Sequence, residues 1–362
     1  MTTRHLRYAA LLLVTGLVGA VVPQAAAAAQ PVPIKVPVYG YVWGNQPATA
    51  SYFPDTGYEL NSTGGTIQID RYATGRYYVR FAGMGRDGGI AHASAYGSND
   101  RCVLLSYFDW GADEYLHIRC FDIDGDPADT RFIASFTTRK PAGVGFGYLL
   151  NDNPVPGIFG YEPPAASSHD GAGQPIRVYR GSVGVYQVDL GAFAQDVAAG
   201  QWQNGFLAAT VYGSYQVTCH PHGSVPSAPN RIRVTCADLD GQWADAQFTL
   251  TYARDTSLLG TPQRASVTAT GPDTPVVEGW TNSAGGVPTV TELGTGHFQA
   301  AFPSIGAPRG HAYATLMNTS PMYCNVYLWW RVGSTEYVRI RCFDPAVGEP
   351  HPVGRFTIAF LP

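Results

Sequence analysis

The chain has 362 residues, of which 45% are hydrophobic and only 14% charged, and its formal net charge is -4. Two lysines, Lys35 and Lys140, and scattered arginines make no basic run, which argues against nucleic acid or an anionic membrane surface as the partner. Forty-two glycines and 22 tyrosines beside so little charge point to short strands and many turns.

At the N-terminus, Arg4 and Arg7 precede an apolar run from Tyr8 to Val22 and a small-residue stretch from Ala25 to Ala29. That order is the pattern of a secretory signal peptide over residues 1–29. The run is shorter than the ~20 residues of a good membrane span. The mature chain is therefore expected to begin near Gln30, outside the cytoplasm and with no membrane span. In an oxidising compartment its six cysteines are expected to pair.

The rest of the chain repeats itself. "GRYYVRF" (Gly75 to Phe81) recurs as "GVYQVDL" (Gly184 to Leu190) and "GHFQAAF" (Gly296 to Phe302). "GIAHASAYG" from Gly89 recurs as "GFLAATVYG" from Gly205 and "GHAYATLMN" from Gly310. A cysteine pair follows each time: Cys102 and Cys120, Cys219 and Cys236, Cys324 and Cys342. Each unit closes on "FIASF", "FTLTY" or "FTIAF". Four markers in one order, three times, define units over 36–138, 144–253 and 276–362, with 254–275 as a polar linker.

Within a unit the period is two. Unit one alternates at Ile67/Ile69, Tyr77/Val79/Phe81, Leu104/Ser106/Phe108, Leu116/Ile118 and Phe132/Ala134/Phe136. "QDVAAGQWQ" near Ala198 is the one candidate for a helical turn. Six or seven antiparallel strands per ~100 residues read as an all-β chain of three tandem β-sandwiches of jelly-roll or Ig-like type, with a closed barrel as the alternative.

With a hairpin turn at Asp109 to Asp113, Cys102 faces Cys120, Leu104 faces Ile118 and Ser106 faces Leu116. In unit three Cys324 faces Cys342, Val326 faces Ile340 and Leu328 faces Val338. Each unit is thus expected to carry one cross-strand disulfide, worth ~3 kcal/mol by loop-closure entropy. A six-thiolate zinc site lacks any C-x-x-C spacing.

The other face of the unit-three hairpin carries the candidate ligand site: Tyr327 opposite Arg339, Trp329 opposite Tyr337, and Arg341. Aromatic planes beside guanidinium groups can bind sugar rings or a protein surface. Such pairs also stabilise an outer sheet face by themselves. Unit one shows a milder version, with Tyr107 opposite Tyr115, His117 and Arg119. An acidic run, "DIDGDPAD" with Asp122 and Asp124, recurs as "DLDGQWAD" with Asp238 and Asp240. Carboxylates at alternate positions beside a glycine can wrap calcium, although a D-G turn explains them too. "HPH" (His220 to His222) reads as a surface loop at the unit-two hairpin tip. No G-x-S-x-G, H-E-x-x-H or phosphate loop is present, and His92 aligns with Ala208 and Tyr313, so no catalytic group repeats.

"GRYYVRF", "AHASAYG" and "LHIRCFDIDGDPADTRFIASF" resemble a repeated β-domain of secreted actinobacterial proteins without assigned activity. The resemblance covers all three units, best in unit one, and implies secretion and a β fold with no catalytic residues to carry over. The expected function is that of a secreted, non-catalytic binding or structural protein whose partner is a polysaccharide, the cell envelope or an extracellular protein. An extracellular hydrolase with its site in one unit, or a secreted protease inhibitor, are the alternatives.

Overall fold

A computed structural model describes residues 36–362 other than 144, 158, 214, 215, 225–227, 273 and 319. The expected signal peptide lies outside the described residues. Repeat 1 runs through β1 (Tyr39–Gly44), β2 (Ser51–Tyr52), β3 (Glu59–Asn61), β4 (Ile67–Ala73), β5 (Arg76–Phe81), β6 (Ile90–Ala95), β7 (Arg101–Trp110), β8 (Asp113–Phe121) and β9 (Phe132–Thr137). Repeat 2 holds β10 (Phe146–Asn151), β11 (Ser168–Asp170), β12 (Arg177–Ser182), β13 (Val185–Asp189), α1 (Gly191–Ala198), β14 (Phe206–Tyr212), β15 (Thr218–His222), β16 (Arg231–Ala237) and β17 (Gln247–Ala253). Repeat 3 holds β18 (Ala265–Thr270), β19 (Val276–Asn282), β20 (Thr289–Gly294), β21 (His297–Phe302), β22 (His311–Leu316), β23 (Tyr323–Val332), β24 (Thr335–Phe343) and β25 (Arg355–Leu361).

Each repeat is built from two antiparallel sheets. The first has the order β3-β1-β9-β6, β11-β10-β17-β14 or β19-β18-β25-β22. The second has the order β2-β4-β5-β8-β7, β12-β13-β16-β15 or β20-β21-β24-β23. Strand β18 corrects the expected linker. It occupies the place of β1 and β10, pairs with β25 along its whole length and buries Val267 and Ala269 completely. The sequence "ASVTAT" alternates small polar and small apolar residues, which resembles a polar tether until both its faces are covered. The candidate helical turn is a two-turn helix, α1, that buries Phe193 against Tyr252 and Trp202.

Apart from the edge strands β3, β11 and β19, the first sheets are buried on both faces, β9, β17 and β25 almost without exception. One face packs on the repeat's own second sheet and the other meets the neighbouring repeats, which is why these strands read as continuous small or apolar runs. Contacts pass from each repeat to the next. Gly213 N–H donates to Leu104 O, joining β14 to β7 in parallel, and Gly97 N–H donates to Val326 O. Gln216 Nε2 donates to Gly125 O at 2.7 Å, Thr218 Oγ1 to Pro321 O at 3.4 Å and Asn99 Nδ2 to Gly348 O at 3.0 Å. The links run between repeats 1 and 2, 2 and 3, and 3 and 1, so residues 36–362 close into one compact unit.

The repeated glycine of "GRYYVRF" has a steric cause. Gly75, Gly184 and Gly296 have φ of +63°, +64° and +63°, and a Cβ there would strike the carbonyl oxygen of Cys120, Cys236 or Cys342. Those carbonyls accept the N–H of Ala128, Ala244 and His351, which brings the segment after the second cysteine across the sandwich. All three disulfides form at the expected opposed pairs, with Cα separations of 4.1, 4.1 and 3.9 Å.

The acidic run divides into two roles. Asp122 Oδ1 accepts Asp126 N–H at 2.9 Å, and Asp238 Oδ1 accepts Asp240 and Gln242 N–H at 3.1 and 2.8 Å. These carboxylates close their own turns, and the described residues gather no group of three His, Cys, Asp or Glu suited to a metal. Asp129 instead takes Arg71 in a fork at 2.8 Å per branch, together with Gly75 N–H and Tyr77 OH. Asp245 does the same with Arg180, Gly184 and Tyr186. In repeat 3 the three matching positions are Glu292, Phe298 and Pro352, so the fork and both its ends are replaced together. Asp129→Ala is expected to lower the urea midpoint, because the Arg71 guanidinium, the Gly75 N–H and the Tyr77 hydroxyl lose their shared acceptor. A urea midpoint unchanged from wild type would remove this role.

Candidate functional site

The hairpin β23–β24 follows the expected register from Cys324↔Cys342 to Val326↔Ile340, and then departs from it. A bulge at Tyr327 shifts the pairing to Leu328↔Arg339, Trp329↔Val338 and Trp330↔Tyr337. One extra residue turns every later side chain to the opposite face. Trp329 therefore points inward and is 5% exposed, among Trp43, Tyr58 and Tyr96 of repeat 1 at ring separations of 6.0, 5.6 and 5.1 Å. Its expected place opposite Tyr337 is taken by Trp330.

The same bulge lies in β7 between Leu104 and Ser106. It turns Tyr107 inward against Phe136 and Tyr212 and sets Phe108, not Tyr107, opposite Tyr115. Likewise Ser106 faces His117 rather than Leu116. The turns are two residues long, at Gly111–Ala112 and Gly333–Ser334, instead of the longer symmetric turn expected. In both hairpins the bulge delivers one large aromatic side chain to the neighbouring repeat.

The outer face of repeat 3 is assembled from three strands. Trp330 stacks on Tyr337 at 5.2 Å and 14°, and the Arg339 guanidinium lies 4.8 Å above the Trp330 ring. Arg341 sits 3.7 Å over Tyr327, whose other neighbour is His297 of β21 at 5.9 Å. Gln299 accepts Arg339 Nε–H at 2.9 Å and fixes the guanidinium plane. Of the five residues expected here, Tyr327, Tyr337, Arg339 and Arg341 share the face, and Trp329 does not. No described carboxylate pairs with Arg339 or Arg341. Burial, and then the charges of Arg341 and Arg339, hold the His297 pKa below its usual value and keep the ring neutral.

Beside this face, a cleft of about 360 Å³ opens between repeats 1 and 3. Tyr58, Arg309, Trp330, Arg331 and Glu336 line it. Burial raises the Glu336 carboxyl to about 7 against the opposing pull of the Ala307 N–H and Arg331. Glu114 holds the matching place in repeat 1 and is pushed to about 9 by burial and then by Asp109. A buried acid at the start of the returning strand is thus shared by repeats 1 and 3, whereas repeat 2 has the exposed Asn230 there.

Repeat 1 presents a second aromatic face. Phe108 stacks on Tyr115 at 5.7 Å and 9°, Trp110 is 75% exposed, and Tyr72, Tyr78 and His117 form a contiguous stack. Tyr72 and Tyr78 escaped the sequence reading, although Tyr78 alternates with the buried Tyr77 and Val79 and so had to point outward. In repeat 2 the matching face holds Arg231, which is neutralised by Asp189 and stacked on Tyr179. The "HPH" segment is not a surface loop. His220 and His222 lie in β15, 5% and 7% exposed; Trp202 packs against the following Gly223, and the charge of Arg355 of repeat 3 acts on His222. Packing of repeat 3 covers what would be an edge strand in an isolated unit.

No helix among the described residues is long and apolar enough to cross a membrane. No family model, curated protein or solved structure matches the chain.

Proposed function

We propose that the protein is a secreted, non-catalytic binder of polysaccharide or cell-envelope glycan, engaged through the outer hairpin faces of repeats 3 and 1. The observation that carries this reading is the pair of unneutralised guanidinium groups, Arg339 and Arg341, held over Trp330 and Tyr327. Sugar rings pack their apolar faces on such aromatic planes, while acidic or hydroxyl substituents take the guanidinium donors. Two such faces on one body allow linked weak contacts to gain avidity. Three disulfides and the signal-peptide pattern support export.

The test is retention of the mature protein on cell-wall material and a panel of insoluble polysaccharides. Wild type is expected to be retained, and Trp330→Ala/Tyr337→Ala to wash through with its thermal midpoint little changed. Retention of the double variant would remove the proposed face. Failure of wild type to bind any of the materials would overturn the glycan reading.

Glu336, an acid near neutrality at the cleft, favours an extracellular hydrolase as the second reading. Its counterpart Glu114 is as deeply buried and is also raised mainly by burial, beside Asp109 where Glu336 has Arg331, so a raised acid at this position does not by itself mark a catalytic site. Hydrolysis of any of the same polysaccharides, lost in Glu336→Gln, would reverse this ranking.

A further inference from the structure

The three repeats meet along β6, β14 and β22. His92 bonds Thr251 Oγ1 through Nε2 at 2.8 Å and Thr210 Oγ1 through Nδ1 at 3.2 Å, and Thr210 Oγ1 bonds the Tyr313 hydroxyl at 2.9 Å. Next to this plug lies a cavity of about 70 Å³ lined by matching residues from each repeat. Ser94, Thr210 and Thr315 form one tier, and Arg101, Thr218 and Tyr323 form another. Room of this size holds several waters or one small ion.

Three lining side chains carry a buried polar atom without a hydrogen-bond partner, and each comes from a different repeat. They are Arg101 Nη1, His220 Nε2 and Thr315 Oγ1, on residues 6%, 5% and 5% exposed. Arg101 is the decisive one. Its Nη2 donates to the carbonyls of Asp122 and Ile123 at 3.1 Å each, which satisfies donors but cancels no charge. No carboxylate among the described residues lies within ion-pair distance of it. The adjacent Asp100 carboxylate is taken by the hydroxyls of Ser98 and Thr130. A buried, unpaired guanidinium is costly, and a polar cavity beside it is the place where that cost is relieved. A threonine hydroxyl can donate, and so can an imidazole whose proton sits on Nε2. Donors from three repeats therefore converge on one space next to a positive charge without an ion-pair partner, on which the Asp122 and Asp100 carboxylates act only from a distance.

We infer that this junction is a binding site for a small monovalent anion, completed only when all three repeats dock. The anion takes hydrogen bonds from Arg101 of repeat 1, His220 of repeat 2 and Thr315 of repeat 3, and so ties the ring together.

Bromide serves as the probe. The thermal midpoint of the full chain is measured as sodium bromide replaces sodium gluconate at constant ionic strength. The expected result is a midpoint that rises and saturates with bromide in wild type and stays flat in Arg101→Gln. A wild-type midpoint indifferent to the exchange, or a rise that Arg101→Gln retains, would overturn the site. Should Arg101→Gln fail to fold, anomalous diffraction from wild-type crystals grown in bromide decides the matter. A bromide peak against Arg101 supports the inference, and a cavity filled by water alone refutes it.

Discussion

Acidification from pH 6.5 to pH 5 is expected to remove on the order of 3 kcal/mol of stability, before most carboxylates titrate. Four histidines are buried in neutral form. Burial, joined at His222 by the charges of Arg233 and Arg355, lowers His92, His222 and His311 to about 3 and His220 to about 4. Their folded values lie below the unfolded value of about 6.5. The unfolded chain therefore takes up protons that the folded chain refuses, and the stability they contribute is complete above pH 6.5 and lost as the pH falls. Glu336, raised to about 7, and Glu114, raised to about 9, act in the opposite sense. The folded chain keeps protons that the unfolded chain releases near pH 4.5, so their share is present at low pH and lost as the pH rises. Near pH 5 the four histidines outweigh the two acids by about two protons, near 2.7 kcal/mol per pH unit, and this excess shrinks almost to nothing by pH 6.5. From about pH 7 upward stability declines, and above about pH 8 Glu114 alone still contributes. A stability maximum between about pH 6 and 7.5 follows, measurable as urea midpoints across that range. His92→Gln should flatten the acid limb by one proton's share. Midpoints equal at pH 5 and 6.5 would mean that these imidazoles are not buried neutral.

Trp329→Ala should destabilise the protein by about 3–5 kcal/mol, as large aromatic truncations in cores do. Trp330→Ala, one residue on, should cost less than about 1 kcal/mol, because its side chain leaves an outer face and no core cavity. On the proposed reading the binding phenotype is reversed: Trp330→Ala loses retention, and Trp329→Ala keeps it for as long as the protein stays folded. Equal destabilisation by the two variants, or a milder effect of Trp329→Ala, would contradict the bulge at Tyr327. The same reasoning applies to Tyr107 and Phe108 in repeat 1, where the inward residue also hydrogen-bonds Gly89 O.

The bulge marks the limit of what the hairpin sequence reveals. From Cys324 to Val326 the alternation holds, because two cysteines that bond fix the register between them and their neighbours. Beyond Val326 the run "YLWWR" is aromatic at adjacent positions, so period two cannot say which tryptophan faces inward. The answer depends on Trp43, Tyr58 and Tyr96, which lie in another repeat. His220 and His222 teach the same lesson: polar residues beside a Pro-rich tip resemble a loop until repeat 3 covers them. Arg101 looks like an ordinary strand-end arginine until three repeats close around it.

The sequence by itself determined the threefold repetition, the sandwich strands, the partners of all six cysteines and the recurring glycine that opens the first marker of each repeat. These are local matters, set by side-chain alternation, by opposed residues in a hairpin and by a steric clash within one repeat. Only the tertiary structure decided that the repeats form one body, that "ASVTAT" is a central strand, which aromatic residues remain outside, and where a buried charge meets a cavity. Each of these turns on the second face of a sheet, and whether that face meets water or another repeat is settled by contacts between residues more than 100 positions apart.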